Sequence, residues 1–323
     1  MFRGKVLAIF FIAIAIAESP AFAQSVAQYP VKPVRVLVAQ PAGGNTDVQA
    51  RIFGGRLSEA LGKQLVIDNR PGRYVAWSLA ARAPADGYTL LVVIADLIYG
   101  PAVYKDMPVD PVRDYAPVSL MSRTPYLLVV NAGLPVKTVK ELIDYAHANP
   151  GRLNFGGGIS GSATHLIAAY FLTPTKIKAS YIPYKGVALA VTDLAGGQIN
   201  AGFSTASALP HIRTGKLRAI GISTAQRSKL LPEIPTIAEQ GVKDFEASAF
   251  HGWAAPAGTP AAIVAKLSAA LARIGKAADV IEMLAQDNSE PVGSTPEEFK
   301  RFIATEIPLW QKRVRESAIQ VDY

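Results

Sequence analysis

Short apolar segments rich in β-branched residues alternate along the chain with amphipathic segments of helical period. In the first part of the chain, strands are predicted at 34–39, 64–69 and 88–94, and helices between them at 46–61 and 77–83. Two more strands are predicted at 115–121 and 126–131. A strand–helix–strand–helix–strand series is typical of a mostly parallel sheet covered by helices. The pattern therefore predicts an α/β domain.

The same alternation starts again in the middle of the chain. Helices are predicted at 139–148, 163–171, 188–194 and 207–214. Each is followed by a predicted strand, at 153–155, 180–183, 201–204 and 217–223. Three amphipathic helices without further strands follow at 261–274, 277–287 and 296–318. We expect these helices to pack back on the first domain, with chain crossings near Leu127 and Trp253. This predicts one domain from 24–126 plus 253–323, and a second from 127–252, with a hinge between them.

The N-terminus has the layout of a secretory signal peptide. Arg3 and Lys5 precede an apolar run at 6–17, and Ala21-Phe22-Ala23 has the small-x-small form of a cleavage site. The run is shorter than the roughly 20 residues of a spanning helix. The sequence therefore predicts a cleaved signal peptide at 1–23 and a periplasmic mature protein.

Composition narrows the classes of partner. The chain has no cysteine, so neither a disulfide framework nor a lipid anchor on cysteine is expected. Its formal charge is +8, and the predicted cleavage leaves a positive mature chain that attracts anions. The basic residues are scattered without interleaved aromatic residues, which speaks against a nucleic-acid surface. An anionic small molecule is the more fitting partner.

Two glycine-rich loops lie at predicted strand-to-helix junctions, where helix amides without internal partners can bind an anion. In the first loop the candidate ligand-binding residues are Pro41, Ala42, Gly43, Gly44 and Asp47. In the second loop they are Gly158, Ser160, Gly161, Ser162, Thr164 and His165. One such loop in each predicted domain suggests a carboxylate held in a cleft between them. The plainer interpretation is that the glycines only shape tight turns and the polar residues only cap helices.

Gly156, Gly158 and Gly161 also spell the G-x-G-x-x-G pattern of dinucleotide-binding folds. That motif requires an acidic residue about 20 positions later, whereas 175–185 contains lysines and no acid. An exported enzyme or dinucleotide-binding protein that uses the loop 156–161 is the alternative function.

Enzymatic and metal chemistry find little support in the residue pattern. The four histidines lack a helical ligand spacing, and the segment 158–162 departs from the G-x-S-x-G elbow because Ser162 ends it. We therefore expect neither catalytic residues nor a metal site.

Several motifs resemble the receptors of tripartite tricarboxylate transporters, the Bug family. They lie at 29–38, 41–47, 69–72, 86–91, 183–186, 208–212 and 255–260. The resemblance covers nearly the whole mature chain. It implies a two-domain periplasmic binding fold of type II character without a cofactor, with a small organic acid held by the loops at 41–47 and 160–165. It also implies docking to membrane permease subunits, and we expect a monomer.

The chain departs from the family pattern around the implied pocket. A glycine-rich stretch is usual after Gly72, whereas Tyr74 and Trp77 follow here. Ser204, a further candidate ligand-binding residue, stands where an aspartate is frequent. Asp96 and Tyr99 lie where small polar residues usually follow the third strand. We expect Tyr74, Trp77, Asp96 and Tyr99 to set specificity, favouring a ligand with an apolar or aromatic body behind its carboxylate.

Overall fold

The structure is a computed structural model that describes residues 28–72, 74–317 and 319. The predicted signal peptide lies outside these residues. The longest described helix has 21 residues. None of the helices in the described ranges combines the length and the apolar run that a membrane crossing needs.

The first sheet has six strands. They are β1 Val34–Val38, β2 Leu65–Asn69, β3 Thr89–Ile94, β4 Tyr115–Pro125, β10 Ser248–Pro256 and β11 Glu290–Pro291, in the order β11-β4-β10-β3-β1-β2. Its helices are α1 Asn45–Leu61, α2 Val75–Ala81, α3 Ala95–Tyr99, α8 Ala261–Ile274, α9 Ala278–Gln286 and α10 Pro296–Glu316.

The second sheet has five strands. They are β5 Leu127–Asn131, β6 Leu153–Gly157, β7 Ala179–Pro183, β8 Ala201–Ser204 and β9 Leu217–Ile222, in the order β7-β6-β8-β5-β9. Its helices are α4 Val139–Ala148, α5 Ala163–Thr175, α6 Val187–Ala195 and α7 Leu209–Arg213. The two-domain α/β architecture expected from the sequence is confirmed.

The expectation of mostly parallel sheets is wrong in detail, because both sheets are mixed. In the first sheet β1 pairs in parallel with β2 and β3, whereas β10 is antiparallel to β3 and β4. In the second sheet β6 is parallel to β7 and β8, whereas β5 is antiparallel to β8 and β9. The strands β5 and β10 each come directly after a chain crossing, where the chain enters a sheet from the other domain instead of from a covering helix.

The second crossing lies earlier in the chain than predicted. Trp253 pairs with Val92 of β3 and Ser119 of β4 in the middle of β10. The strand β10, which the sequence pattern did not predict, begins at Ser248 and belongs wholly to the first sheet. The crossings are therefore between β4 and β5 and immediately before Ser248.

Ser223 connects the two crossing segments. Its Oγ accepts a hydrogen bond from the Tyr126 amide at 2.8 Å and donates one to the Ala247 carbonyl at 2.6 Å. Its own amide and carbonyl bond to the Tyr126 carbonyl and the Ala247 amide. The Ser223 side chain is fully buried. The two crossing segments are thus joined by four hydrogen bonds at one residue.

Apolar packing covers both faces of the first sheet. Val36 and Val38 of β1 belong to the core beneath α1 and α8, whereas Leu37 faces the opposite core. This alternation follows from the period of two along a strand. The β1 side chains are apolar on both faces because helices lie on both sides of the sheet.

A column of aromatic rings continues from one domain into the other. In the second domain Phe203 stacks near Phe245 with centroids 5.9 Å apart, and Phe245 stacks on Tyr170 at 4.8 Å. Tyr170 meets Trp310 of α10 at 6.1 Å, and Trp310 stacks on Tyr99 of the first domain at 4.2 Å. We refer to these five rings as the aromatic column.

Candidate functional site

The first glycine-rich loop follows β1 and leads directly into α1. Gly43 has a φ of +80°, a conformation that favours glycine, whereas Gly44 has an ordinary extended conformation. The Asp47 Oδ2 accepts the Gly43 amide at 2.9 Å and the Arg51 Nε at 3.0 Å. Asp47, predicted to contact the ligand, therefore shapes the loop by holding its backbone.

The surroundings of Asp47 favour the ionised carboxylate. Burial alone would raise the pKa of Asp47, but hydrogen bonds from Arg51, Gly43 and Asn69 hold that pKa below its ordinary value. The Asp47 Oδ1 is buried and has no hydrogen-bond partner among the described residues. A fixed negative charge in the first turn also interacts favourably with the positive end of the helix.

The backbone donors of the loop itself are engaged. The Gly43 amide bonds to Asp47, and the Gly44 amide approaches the Pro41 carbonyl at 3.4 Å. Pro41 and Ala42 are exposed. The first three amides of α1, which begin at Asn45, lie beyond these bonds and lack partners within the helix. The amides that stay without a partner inside the helix are therefore those at the α1 N-terminus, just after Gly44.

The second glycine-rich loop follows β6, leads into α5 and is largely buried. The Gly158 amide donates to the Thr164 Oγ1 at 2.8 Å, and the Gly161 amide donates to the His165 Nδ1 at 3.0 Å. The Ser162 hydroxyl lies 3.2 Å from the same Thr164 oxygen. Ser162, Thr164 and His165 therefore organise the loop from within.

This buried loop is poorly suited to a dinucleotide. A pyrophosphate would need the glycine amides, but those of Gly158 and Gly161 are already bonded to side chains. A Cβ at Gly156 would meet Ile199 at 2.2 Å, and one at Gly161 would meet the Tyr104 ring. The glycines of the G-x-G-x-x-G pattern are thus explained by close packing.

Two contacts join the second loop to the first domain. The Tyr104 hydroxyl donates to the Ser160 carbonyl at 2.9 Å, and the Ala163 amide donates to the Asp96 Oδ1 at 3.4 Å. Asp96 follows β3, which is parallel to β1, so Asp96 and Gly44 lie at the same edge of the first sheet. The second loop therefore abuts the sheet edge at which the first loop lies, and we refer to the boundary between the domains at this edge as the cleft.

Asp96 is a carboxylate deep in the molecule that solvent still reaches. Burial raises the pKa of Asp96, and hydrogen bonds from the amides of Ala163 and of Asp96 itself partly oppose that rise. Its carboxylate lies at the N-terminus of α5, where an anion is favoured. The first domain thus supplies a carboxyl group to the N-terminal end of a helix in the second.

Three of the four predicted specificity residues, Tyr74, Trp77 and Asp96, lie at or near the cleft, whereas Tyr99 does not. Tyr74 is partly buried, 5.9 Å from the ring of Tyr104 and 5.9 Å from that of Trp77. Trp77 is 3% exposed, and its Nε1 has no hydrogen-bond partner among the described residues. Tyr74 and Asp96 are therefore placed beside the cleft, with Trp77 in the layer behind Tyr74.

The prediction that Tyr99 lines the pocket is wrong. Tyr99 is 1% exposed, stacks on Trp310 and meets Phe250 edge-on in the core of the first domain. Tyr99 is the last residue of α3, whereas Asp96 lies near its start. The helix α10 covers the end of α3 that carries Tyr99. Its aromatic character serves the core.

Ser204 is buried, and its Oγ lies 2.9 Å from the Ser207 Oγ at the end of β8. This hydrogen bond stays within the second domain. No three His, Cys, Asp or Glu side chains within the described ranges are grouped as metal ligands.

Two tyrosines at the cleft escaped the sequence analysis. Tyr104 lies in an irregular segment after a 3₁₀ turn, where no period marks it. Tyr181 stacks on His165 at 4.0 Å and donates from its hydroxyl to the Gly158 carbonyl at 2.9 Å. Its strand, β7, was predicted, but the strand pattern does not show that its side chain reaches the neighbouring loop.

A buried polar network lies behind the N-terminus of α1. The His251 Nε2 lies 3.2 Å from the Thr46 Oγ1, and its Nδ1 lies 3.5 Å from the Ser122 Oγ. Ser122 bonds to Gln49, which bonds to Ser289 at 2.9 Å. The network joins the first turns of α1 to β4 and β10.

His251 is expected to make the protein less stable below neutral pH. Burial lowers the pKa of His251 from 6.5 to about 4, so the unfolded chain binds this proton more readily between those values. The free energy of unfolding therefore falls as the pH is lowered through that window, by about 2 kcal/mol between pH 7 and 5. Urea denaturation at both pH values tests this. The His251→Gln variant should show a smaller difference, and an equal difference in both proteins would contradict the prediction.

Comparison with known proteins gives consistent matches over nearly the whole chain. The sequence profile described as "Tripartite tricarboxylate transporter family receptor" matches residues 49–319. Protein BugT of Bordetella pertussis is 36% identical over 316 residues, which are 96% of this chain and 96% of BugT. These matches extend through both domains and both crossings.

Two solved structures share the fold. R. palustris Rpa4515 with adipate is 35% identical, has a TM-score of 0.86, and is matched over 90% of this chain and 99% of its own. The periplasmic binding protein BugD is 29% identical, has a TM-score of 0.84, and is matched over 90% of this chain and 99% of its own. The architecture is that of the periplasmic binding proteins.

Proposed function

The chain belongs to the family of tripartite tricarboxylate transporter receptors, and from this premise we propose that it captures a small organic carboxylate between its two domains for uptake or sensing. The observation that carries the proposal is the meeting of two helix N-termini at one cleft. The α1 N-terminus opens at the edge of the first sheet, and the α5 N-terminus is brought to that edge by Tyr104 and Asp96. Such helix ends bind anions through backbone amides and the helix dipole.

The first domain provides the main anchor for the ligand carboxylate. The amides at the start of α1 follow an exposed loop, whereas the second loop is buried and internally bonded. A carboxylate that approaches past Gly44 can accept two of these amides. The positive net charge of the chain increases the local concentration of anions.

The finer identity proposed for the ligand is a carboxylate with an apolar or aromatic body. Tyr74 and Tyr104 form an edge-to-face aromatic pair beside the cleft, and Trp77 packs against Tyr74 from behind. Burying a ring or a methylene chain against such a wall contributes on the order of 1–3 kcal/mol.

Capture involves movement of the domains about the crossings next to Tyr126 and Ala247. A ligand that contacts both helix N-termini favours the closed arrangement by its differential affinity for it. Periplasmic location, a monomeric state and docking of the closed form to membrane permease subunits complete the proposal. The signal-like N-terminus and the family support the periplasmic location, and the family supports the docking.

The function is tested by identifying the ligand that the purified protein retains. Mass spectrometry after denaturation should reveal an organic acid, and calorimetry should show that the same acid binds again. A panel of aromatic acids with citrate, malate and glutamate then ranks the ligand body, and we expect aromatic acids to bind more tightly. Stronger binding of the aliphatic polyacids would refute the aromatic preference.

The same panel separates capture from catalysis. Recovery of the acid chemically unchanged after long incubation supports a receptor. Conversion of the acid, or retention of a dinucleotide, would support the alternative function at the loop 156–161.

A further inference from the structure

Asp96 occupies a place that a ligand anion could take. It lies in the first turn of α3, and its Oδ1 accepts the amide of Ala163, the first residue of α5. In a site built from two facing helix N-termini, a ligand with carboxylates at both ends would use one helix for each. Here a protein carboxylate already lies at the second helix.

We propose that Asp96 makes the site selective for ligands with a carboxylate at one end and a hydrogen-bond donor, above all a protonated amine, at the other. The inference rests on the proposed function and deepens it. The carboxylate end binds the α1 N-terminus, and the donor end meets Asp96. Asp96 is then a specificity residue that touches the ligand.

Electrostatics in the cleft favours this orientation. Two carboxylates close together in a partly buried site repel each other, whereas an ammonium and a carboxylate attract. Burial already raises the pKa of Asp96, and a ligand ammonium beside it would favour its ionised form. Asp96 thus disfavours a second ligand carboxylate and favours an amine at the same position, which is how specificity by repulsion operates.

The polar groups around Asp96 do not replace it as a partner for an amine. The Ala163 amide donates to its Oδ1 and has no capacity to accept. The Tyr181 hydroxyl donates its hydrogen to the Gly158 carbonyl, and its oxygen is uncharged, so it is a weaker acceptor for an ammonium than the Asp96 carboxylate. The second carboxylate oxygen, Oδ2, can accept from a ligand that reaches the end of the cleft.

Matched ligand pairs test the proposal on the native protein. Glutarate is compared with 4-aminobutanoate, adipate with 5-aminopentanoate, and terephthalate with 4-(aminomethyl)benzoate, by calorimetry at pH 7.5. Within the two aliphatic pairs the methylene count is equal, and only the far end differs. We expect at least one amino acid of the panel to bind tenfold or more tightly than its dicarboxylate partner.

Three variants, two at Asp96 and one control, assign the preference to one residue. Asp96→Asn keeps the size of the side chain and removes its charge, so the preference for the amine should fall at least tenfold. Asp106→Asn makes the same change at an exposed position of the same connecting segment, and it should leave the preference unchanged. Asp96→Ser provides a second test if the asparagine variant does not fold.

The possible outcomes separate this inference from the proposed function. Tighter binding of dicarboxylates to the native protein, or an amine preference that survives in both Asp96 variants, would overturn the role of Asp96 and leave carboxylate capture standing. If the panel does not bind, the retained ligand decides: a dicarboxylate without an amine overturns the inference, and an amino-carboxylate supports it. A protein that neither retains nor binds any carboxylate would overturn the proposed function itself.

Discussion

Gly44→Val is expected to weaken ligand binding a hundredfold or more while leaving the fold nearly unchanged. Gly44 is the residue before α1, with φ −76° and ψ 165°, a conformation open to any residue. A Cβ there would meet only the Pro41 carbonyl, at 3.5 Å. The added methyl groups would stand in front of the helix amides and exclude the carboxylate. Two charge-assisted hydrogen bonds would be lost, roughly 1.5–3 kcal/mol each.

Calorimetry and thermal unfolding of the same variant separate binding from folding, and Gly43→Val is the matched control. Gly43 has positive φ, so a side chain there costs about 1–2 kcal/mol in backbone strain. This neighbouring variant should therefore lose stability, whereas Gly44→Val should lose affinity. Native affinity in Gly44→Val would exclude the α1 N-terminus from the site.

Ser223→Ala should lower the free energy of unfolding by about 2–5 kcal/mol, because it leaves two buried backbone groups without partners. These groups are the Tyr126 amide and the Ala247 carbonyl, one on each crossing segment. Urea denaturation measures the loss. Thr224→Ala, at the next position, removes a hydroxyl with an exposed local bond to Gln226 and should cost far less. Equal losses in the two variants would show that Ser223 has no special role at the hinge.

Most helices and most strands could be predicted because their sequence signals are local. The helix 139–148 has the predicted bounds because Thr138 caps its start and 149–151 end it. The strand β10 was missed because it has no period: it is buried between β3 and β4, and Gly252 and Pro256 interrupt its apolar run. Missing this strand also displaced the predicted second crossing.

The candidate site was predictable as two loops but not as a set of contacts. Local sequence shows that Asp47 is near Gly44, yet it does not show whether its carboxylate faces a ligand or the Gly43 amide. Tyr104 reaches Ser160 only because the two domains meet. Distinguishing Tyr99 from Asp96, three residues apart in one short helix, likewise requires knowing which elements cover α3.

The aromatic column has a consequence for how this protein can be observed. The indole of Trp310 stacks on Tyr99 of its own domain, meets Tyr170 of the other domain, and lies under the guanidinium of Arg313. Any change in the relative position of the domains alters the surroundings of this indole, and therefore the wavelength and intensity of its fluorescence emission. The chain thus carries an intrinsic optical reporter of domain movement, which allows closure to be timed in unlabelled protein.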